Sequence, residues 1–399
     1  MKKRTNIGIV FDDFDGKWTG GTYYILNLIR ALLTLPDKEK PCLILFLKKM
    51  SDFYLIEELG YPYIKKASEI PHLNTLPSYS LVEKAINKLS ELIQGRRLID
   101  KRPTAKEIRF LFPLMEIDHP IPGEHFLYDY ILEKVPKVYW IPDFQDRYYP
   151  HFFPSKTLEA RKKNQESIAK SHHSLVLSSK DAEKDFRLFY PTARCKTIVL
   201  NFAVVHSDFV EVDSTPFKKN LLIHGSFFFS PNQFWQHKNH LVVLKAVKIL
   251  KNEGIEPIVI FSGKPIDERN PDYFSSLVTY VEENDLGENI KFAGFLERNL
   301  QLKLMQEAIA VIQPSLFEGW STVIEDAKSM NQWVIASALA VHKDQLTANA
   351  IFFDPNTPED LSKKMKALWG HCPPKEQLNY ADAITKFATD FLAIETFTS

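Results

Sequence analysis

The sequence predicts an α/β protein of two doubly wound parallel-sheet domains, on three observations. Short, near-continuous apolar runs recur along the chain, helix-length segments separate them, and the runs fall into two series. Strands that are apolar throughout, and not alternately, are covered on both faces, as in parallel sheets flanked by helices. A chain of 399 residues exceeds one ordinary core and suits two.

The first series is NIGIVF (6–11), CLILFL (42–47), IRFLFPL (108–114), KVYWIPD (137–143), SLVLSS (174–179) and KTIVLNF (196–202). The second is SFFFS (226–230), PIVIFSG (257–263), NIKFAGF (289–295), IAVIQPS (309–315), WVIAS (333–337) and AIFFD (350–354). The polar stretch from His206 to Lys218 reads as the linker, and Pro373-Pro374 as a second break. The expected units are residues 1–210, residues 211–373, and a C-terminal helix over 374–399. In that helix Tyr380, Ile384, Phe387, Phe391 and Ile394 make an apolar stripe that must dock elsewhere. Residues 80–106 combine an amphipathic helix (Leu81, Ala85, Ile86, Leu89, Ile93) with Arg96, Arg97, Lys101, Arg102 and Lys106. They read as a solvated helix followed by a basic loop; the second reading is a surface making peripheral contact with the inner membrane face.

Lys plus Arg equals Asp plus Glu, 50 of each, which argues against bulk nucleic-acid binding. Cys42, Cys195 and Cys372 are scattered and form no CxxC, so neither a zinc site nor a disulfide framework is expected. The opening MKKRTNIGIVFDDFDG has too short an apolar run for a signal peptide, and no stretch reaches the roughly 18 to 20 apolar residues of a membrane span. A cytoplasmic location is expected.

In parallel sheets ligands bind beyond the carboxyl ends of the strands, where loops enter helix N-termini. Gly20 and Gly21 open a helix after the first strand and can let backbone approach a ligand, or simply make a tight turn. Lys238 precedes a helix that Asn239 is expected to cap, and can add a full charge to its positive end. His237 and His240 lack a third ligand at suitable spacing, and Asp13-Phe14-Asp15 follows a strand in the wrong context for a metal-binding Asp-x-Asp, so no metal is expected.

In FEGWSTVIEDAK (317–328), Ser321 and Thr322 are N-cap candidates, and Val323, Ile324, Ala327 and Met330 make a helical stripe ending at Asn331. Glu318 then lies in the loop and Glu325 in the first turns. Beside a diphosphate pocket such carboxylates would be repelled by phosphate. They suit neutral vicinal hydroxyls instead, one glutamate for a ribose and one for a sugar.

These segments, with WIPDFQDRYYPHFF (140–153), PNQFWQHKNH (231–240), PSLFEGWSTVIEDAK (314–328) and FFDPNTPEDL (352–361), resemble family 4 of the retaining GT-B glycosyltransferases, closest to bacterial enzymes building surface polysaccharides such as O-antigens. The resemblance implies a GT-B fold whose two domains face a cleft, with the C-terminal helix crossing back to the first. It implies a nucleotide-sugar donor, GDP- or UDP-linked, and a glycan or lipid-linked glycan acceptor. Lys238 and Glu318 would be catalytic, Lys238 on the donor diphosphate and Glu318 on the donor sugar. Glu325 would hold the ribose, and backbone at Gly319, Trp320, Ser321 and Thr322 would meet the phosphates. Phe295 and Leu296 would frame the base, Gly20 and Gly21 would face the diphosphate across the cleft, and Asp143 would lie toward the acceptor. Three departures stand out. Six residues separate Glu318 from Glu325 where the family commonly has seven; Gln233 replaces an arginine, so Lys238 carries more of the charge; and Asp146 replaces a frequent histidine. A non-catalytic sugar-binding partner and a GT-B epimerase or phosphorylase are the competing readings.

Overall fold

The structure, a computed structural model, describes residues 4–11, 19–47, 49–70, 80–94, 98, 105, 108–116, 132–206 and 209–394. Asp13-Phe14-Asp15 and the basic residues Arg96, Arg97, Lys101, Arg102 and Lys106 lie outside the described residues.

The first sheet comprises β1 (Asn6–Phe11), β2 (Cys42–Leu47), β3 (Ile64–Lys66), β4 (Ile108–Leu114), β5 (Lys137–Ile141), β6 (Ser174–Leu177) and β7 (Lys196–Val199), in the order β3-β2-β1-β4-β5-β6-β7. The second comprises β8 (Phe228–Pro231), β9 (Val259–Ser262), β10 (Ile290–Phe292), β11 (Val311–Gln313), β12 (Val334–Ser337) and β13 (Ala350–Phe353), in the order β10-β9-β8-β11-β12-β13. Every pairing is parallel. Each apolar run read from the sequence contains a strand. Among the described residues, the strand outside those runs is β3, an edge strand reading Ile-Lys-Lys, whose lysines suit an edge and hide it from a search for apolar runs.

Each sheet is sandwiched between two apolar clusters. The C-terminal helix Ala381–Ala393 belongs to the first sheet's core. Phe387 meets Tyr24 at 5.6 Å between ring centroids, and Phe391 meets Phe110 at 5.7 Å and Phe112 at 5.5 Å. The expected return of the C-terminal helix to the first domain is thus observed. In both sheets the strand order reverses at one point, between β1 and β4 and between β8 and β11. Chain diverging to either side there leaves a crevice at the strand ends.

The helix Leu81–Gln94 departs from the expectation of an ordinary solvated helix. Its polar residues Asn87 and Ser90 are buried, while Leu81, Val82, Leu89, Leu92 and Ile93 are 60 to 84% exposed.

Candidate functional site

The crevice of the second sheet lies between the loops that leave β8 and β11. The first loop passes through a short turn, Gln236–Lys238, and enters the helix His240–Asn252 through Asn239, whose φ of 56° places it in the left-handed region that asparagine tolerates. The expected side-chain cap is not made. Instead Asn239 Nδ2 donates to the carbonyls of Pro314 (3.2 Å) and Pro355 (2.8 Å), stitching this loop to the one after β11. The stitch fixes the spacing between Lys238 and Glu318.

Lys238 Nζ donates to Glu318 Oε1 at 2.5 Å, and the same oxygen accepts from Gln313 Nε2 at 2.7 Å and Ser315 Oγ at 2.6 Å. Both side chains are largely buried. Burial opposes ionisation of Glu318, but the Lys238 ammonium, with His342 and the Ser315 hydroxyl, outweighs it and holds the carboxyl below the usual range. The site therefore holds its carboxylate in the ionised form beside the Lys238 side chain.

Gly319 is a glycine because the two domains touch here. A Cβ would stand 2.4 Å from the Pro142 carbonyl oxygen and 2.9 Å from Asp143 Cβ. Tyr149 extends the contact, its hydroxyl donating to the Leu316 carbonyl at 3.3 Å. Asp143, on the loop after β5, thereby lines a narrow crevice, too tight for a water molecule, with Asp181 and Asp185 from the first domain and Phe317, Glu318 and Gly319 from the second. Burial raises the Asp143 carboxyl above its ordinary range, with Asp146 and Glu318 adding repulsion against the Gln145 amide and Arg161. Asp146 points back into its own domain, to Arg161 at 3.2 Å and Gln165 at 3.3 Å, and braces that loop.

Ser321 caps the helix Thr322–Ser329, its side chain accepting from Ile324 N, and Asn331 ends the turn beyond it at φ 52°. The Ser321 amide, expected to face phosphate, donates to Gln345 Oε1 at 3.0 Å, so Gln345 takes that donor. The Trp320 indole donates across the domain junction to the Phe202 carbonyl at 3.1 Å.

Glu325 also departs from its expected place. It is 1% exposed, with Oε1 accepting from Lys328 (2.9 Å) and Gln345 (3.0 Å) and Oε2 from the Tyr380 hydroxyl (2.5 Å). It anchors the C-terminal segment, and both of its oxygens are taken by protein donors. The neighbouring Asp326, with seven residues between it and Glu318, turns elsewhere on the helix. Its Oδ1 accepts from Arg298 Nη2 at 2.5 Å and lies 3.5 Å from His206 Nε2, while buried Oδ2 has no hydrogen-bond partner among the described residues. Arg298 in turn lies over the Tyr23 ring, 5.4 Å from its centroid. Tyr23 is on the first-domain helix Thr19–Leu33, whose first turn holds exposed Gly20 and buried Gly21. Asn27 of this helix accepts from Val205 N at 2.9 Å.

Gln233 Oε1 accepts from Lys264 N at 2.8 Å, and the Lys264 ammonium stands 5.3 Å from the centre of the exposed Phe295 ring. Leu296 beside it is buried. Gly263 makes room for this loop, since a Cβ there would meet the Asn232 carbonyl at 2.3 Å. His237 and His240 serve packing. His240 stacks on Phe234 at 4.7 Å, and burial lowers its pKa to about 3.

Residues 213–384 match the family model for glycosyl transferases group 1. The match spans less than half of the chain and covers the whole second sheet. The chain is 24% identical over 247 residues to the O-antigen chain mannosyltransferase RfbU of Salmonella typhimurium, an alignment spanning 62% of this chain and 62% of that relative. By structure it resembles a glycosyltransferase from Rickettsia africae (15% identity, TM-score 0.60, 100% of this chain and 95% of that one). It also resembles Anabaena Alr3699/HepE in complex with UDP and glucose (14% identity, TM-score 0.59, 99% and 95%). The fold is GT-B. The matched segment contains Lys238, Glu318, Glu325 and Asp326, together with Lys264 and Arg298, which sequence reading passed over because isolated basic residues near a loop look like ordinary surface. For Asp326 a signal existed: seven residues separate it from Glu318, the spacing common in the resembled family.

Proposed function

We propose that the chain is a retaining glycosyltransferase. It would transfer a sugar from a GDP- or UDP-linked donor to a glycan or lipid-linked glycan acceptor in surface polysaccharide synthesis. The observation that carries this reading is the hydrogen-bonded Lys238–Glu318 pair at the strand-order reversal of the segment that matches the group 1 model. The neighbour that holds UDP and glucose supports the donor class, and the O-antigen relative supports the acceptor class.

In this reading the diphosphate recruits the Lys238 ammonium, reinforced by the N-terminus of His240–Asn252, with Lys264 a second cation where Gln233 has replaced arginine. Glu318, released from Lys238, accepts hydrogen bonds from donor-sugar hydroxyls. Asp326, 0% exposed, takes the ribose hydroxyls through its unpartnered oxygen once the donor displaces the packing over it, and Phe295 with Leu296 borders the base. The bond between the anomeric carbon and the phosphate oxygen breaks as the acceptor oxygen bonds to that carbon on the same face. The acceptor proton passes to the released phosphate oxygen. Charge develops on the diphosphate, and a preorganised donor such as Lys238 contributes about 10²- to 10³-fold. Lysine and helix amides meet that charge in place of a metal. Asp143 lies on the acceptor side, where parting of the two loops would open its carboxyl to the hydroxyls of a neutral glycan.

Thermal unfolding with UDP, GDP, ADP and their sugars tests the donor site. One nucleotide should stabilise the protein by about 2.7 kcal/mol at a hundred times its dissociation constant. No response to any of them would overturn the donor reading.

A further inference from the structure

We propose that His342 is a positioning residue for Glu318, holding its carboxylate in place once Lys238 has left it for the donor diphosphate. The inference rests on the reading of Glu318 as the acceptor for donor-sugar hydroxyls. Three donors converge on Glu318 Oε1, from Lys238, Gln313 and Ser315. Oε2 has no hydrogen-bond partner among the described residues. One oxygen is held and the other is left for a ligand. A diphosphate that takes the Lys238 ammonium removes the charged member of the three. The pose of the carboxylate then depends on the two neutral donors, and on how firmly Ser315 is fixed.

A chain of hydrogen bonds fixes it. The helix Ala340–Gln345 follows β12 and sets His342 against the end of that strand. His342 Nδ1 lies 2.9 Å from the Ser337 carbonyl oxygen and 3.2 Å from the Ser337 hydroxyl. A carbonyl only accepts, so Nδ1 carries the proton and donates. The Ser337 hydroxyl donates to the Ser315 carbonyl at 2.6 Å, and the Ser315 hydroxyl to Glu318 Oε1 at 2.6 Å. A hydroxyl has one proton, so each link runs in one direction, toward Glu318. His342, Ser337 and Ser315 are all 0% exposed, so solvent does not make up a broken link.

The other ring nitrogen sets the charge state. Nε2 is buried with no hydrogen-bond partner among the described residues. A proton there would find no acceptor. Burial lowers the pKa of the ring and Lys238 adds to the effect, against Glu318 and the Ser337 carbonyl. The neutral ring with its proton on Nδ1 is the form that fits. One turn on, Gln345 clasps Ser321, its Oε1 accepting from Ser321 N at 3.0 Å and its Nε2 donating to Ser321 O at 2.8 Å. One short helix thereby grips the Glu318 loop at two points, before Glu318 through Ser315 and after it through Ser321.

The test measures what the sugar adds to donor affinity, by calorimetry on the full chain with UDP, UDP-glucose, GDP and GDP-mannose. A loosened Glu318 should weaken the nucleotide sugar and spare the bare nucleotide, whereas a general structural defect weakens both. His342→Gln places its amide at Nε2 and drops the Nδ1 bond. It should weaken the nucleotide sugar that the parent binds about tenfold, with the matching nucleoside diphosphate within about twofold. Ser337→Ala removes the middle link with a smaller change and should do the same. His342→Asn places its amide at Nδ1, keeps the donor to Ser337, and should stay within about threefold of the parent for both ligands. Equal weakening of sugar and nucleotide, or none, in His342→Gln and Ser337→Ala would overturn the proposal. So would a loss in His342→Asn with none in His342→Gln, which would assign the effect to Nε2. A parent chain that binds none of the four ligands would overturn the donor reading itself.

Discussion

Lys238 Nζ and Glu318 Oε1 lie 2.5 Å apart, on loops leaving two adjacent strands, and neither residue has much access to water. Removing Lys238 leaves a buried carboxylate held only by Gln313 and Ser315, while removing both leaves neither charge stranded. A double-mutant cycle of Lys238→Ala and Glu318→Ala should therefore give a coupling of about 1.5 to 3 kcal/mol in unfolding free energy. Additive single effects would show that the pair is not formed in solution. Lys238→Ala should also lower turnover at least ~10²-fold. The Glu318 carboxyl is depressed in the fold, so its stabilising contribution is present above the ordinary glutamate pKa and is lost as pH falls through the folded value. Glu318→Gln should flatten that acid limb in urea titrations run against pH.

Glu325 and Asp326 are neighbours with separable tasks. Glu325 ties the C-terminal segment through the Tyr380 hydroxyl, which also accepts from Val204 N at 3.0 Å. Glu325→Gln should cost about 1 to 3 kcal/mol of stability, with donor KM within about threefold of the parent. Asp326→Asn should raise donor KM about tenfold or more through lost charged hydrogen bonds to hydroxyls. Kinetics that reverse these two outcomes would return the ribose to Glu325.

The strands were legible because parallel sheets bury both faces, so their apolar runs carry the message locally. Lys238 and Glu318 were legible too, because each stands where a strand gives way to a helix. What stayed hidden depends on distant partners. Nothing near Glu325 announces that Tyr380, fifty-five residues on, will occupy its carboxylate. Nothing in QFWQHKNH tells that Asn239 will bind carbonyls of two other loops instead of capping its own helix. The amphipathic pattern of Leu81–Gln94 was plain, but periodicity gives a stripe without saying whether it faces inward or outward.

Gly319 is where the second domain rests on the first. Gly319→Ala would set a Cβ 2.4 Å from the Pro142 carbonyl oxygen, so backbone on one side must give way and Glu318 must shift relative to Asp143. The contact joins two domains, so each can keep its own core. We expect unfolding to stay within about 1 kcal/mol of the parent, with kcat falling about 30- to 100-fold, since misplacement near 1 Å costs on that order. Unchanged kcat would mean that the two loops separate during turnover.

His206 gives a pH-dependent prediction at the domain junction. Its Nε2 lies 3.0 Å from the Ser329 hydroxyl and 3.5 Å from Asp326 Oδ1. Burial lowers its pKa to about 4, with Arg298 and Arg30 adding to the effect and Asp326 opposing it. The unfolded chain therefore binds a proton near pH 6.5 that the fold refuses until about pH 4. Stability from this residue is complete above pH 6.5 and declines as pH falls through that window, by up to about 3 kcal/mol. His206→Gln, which keeps an acceptor and a donor without titrating, should make the decline between pH 6.5 and 4 shallower by that amount, the remainder belonging to buried His237, His240 and His342, whose pKa values are also lowered. If denaturant midpoints of the two proteins track each other across that window, His206 is already protonated in the fold and its pairing with Asp326 is ionic.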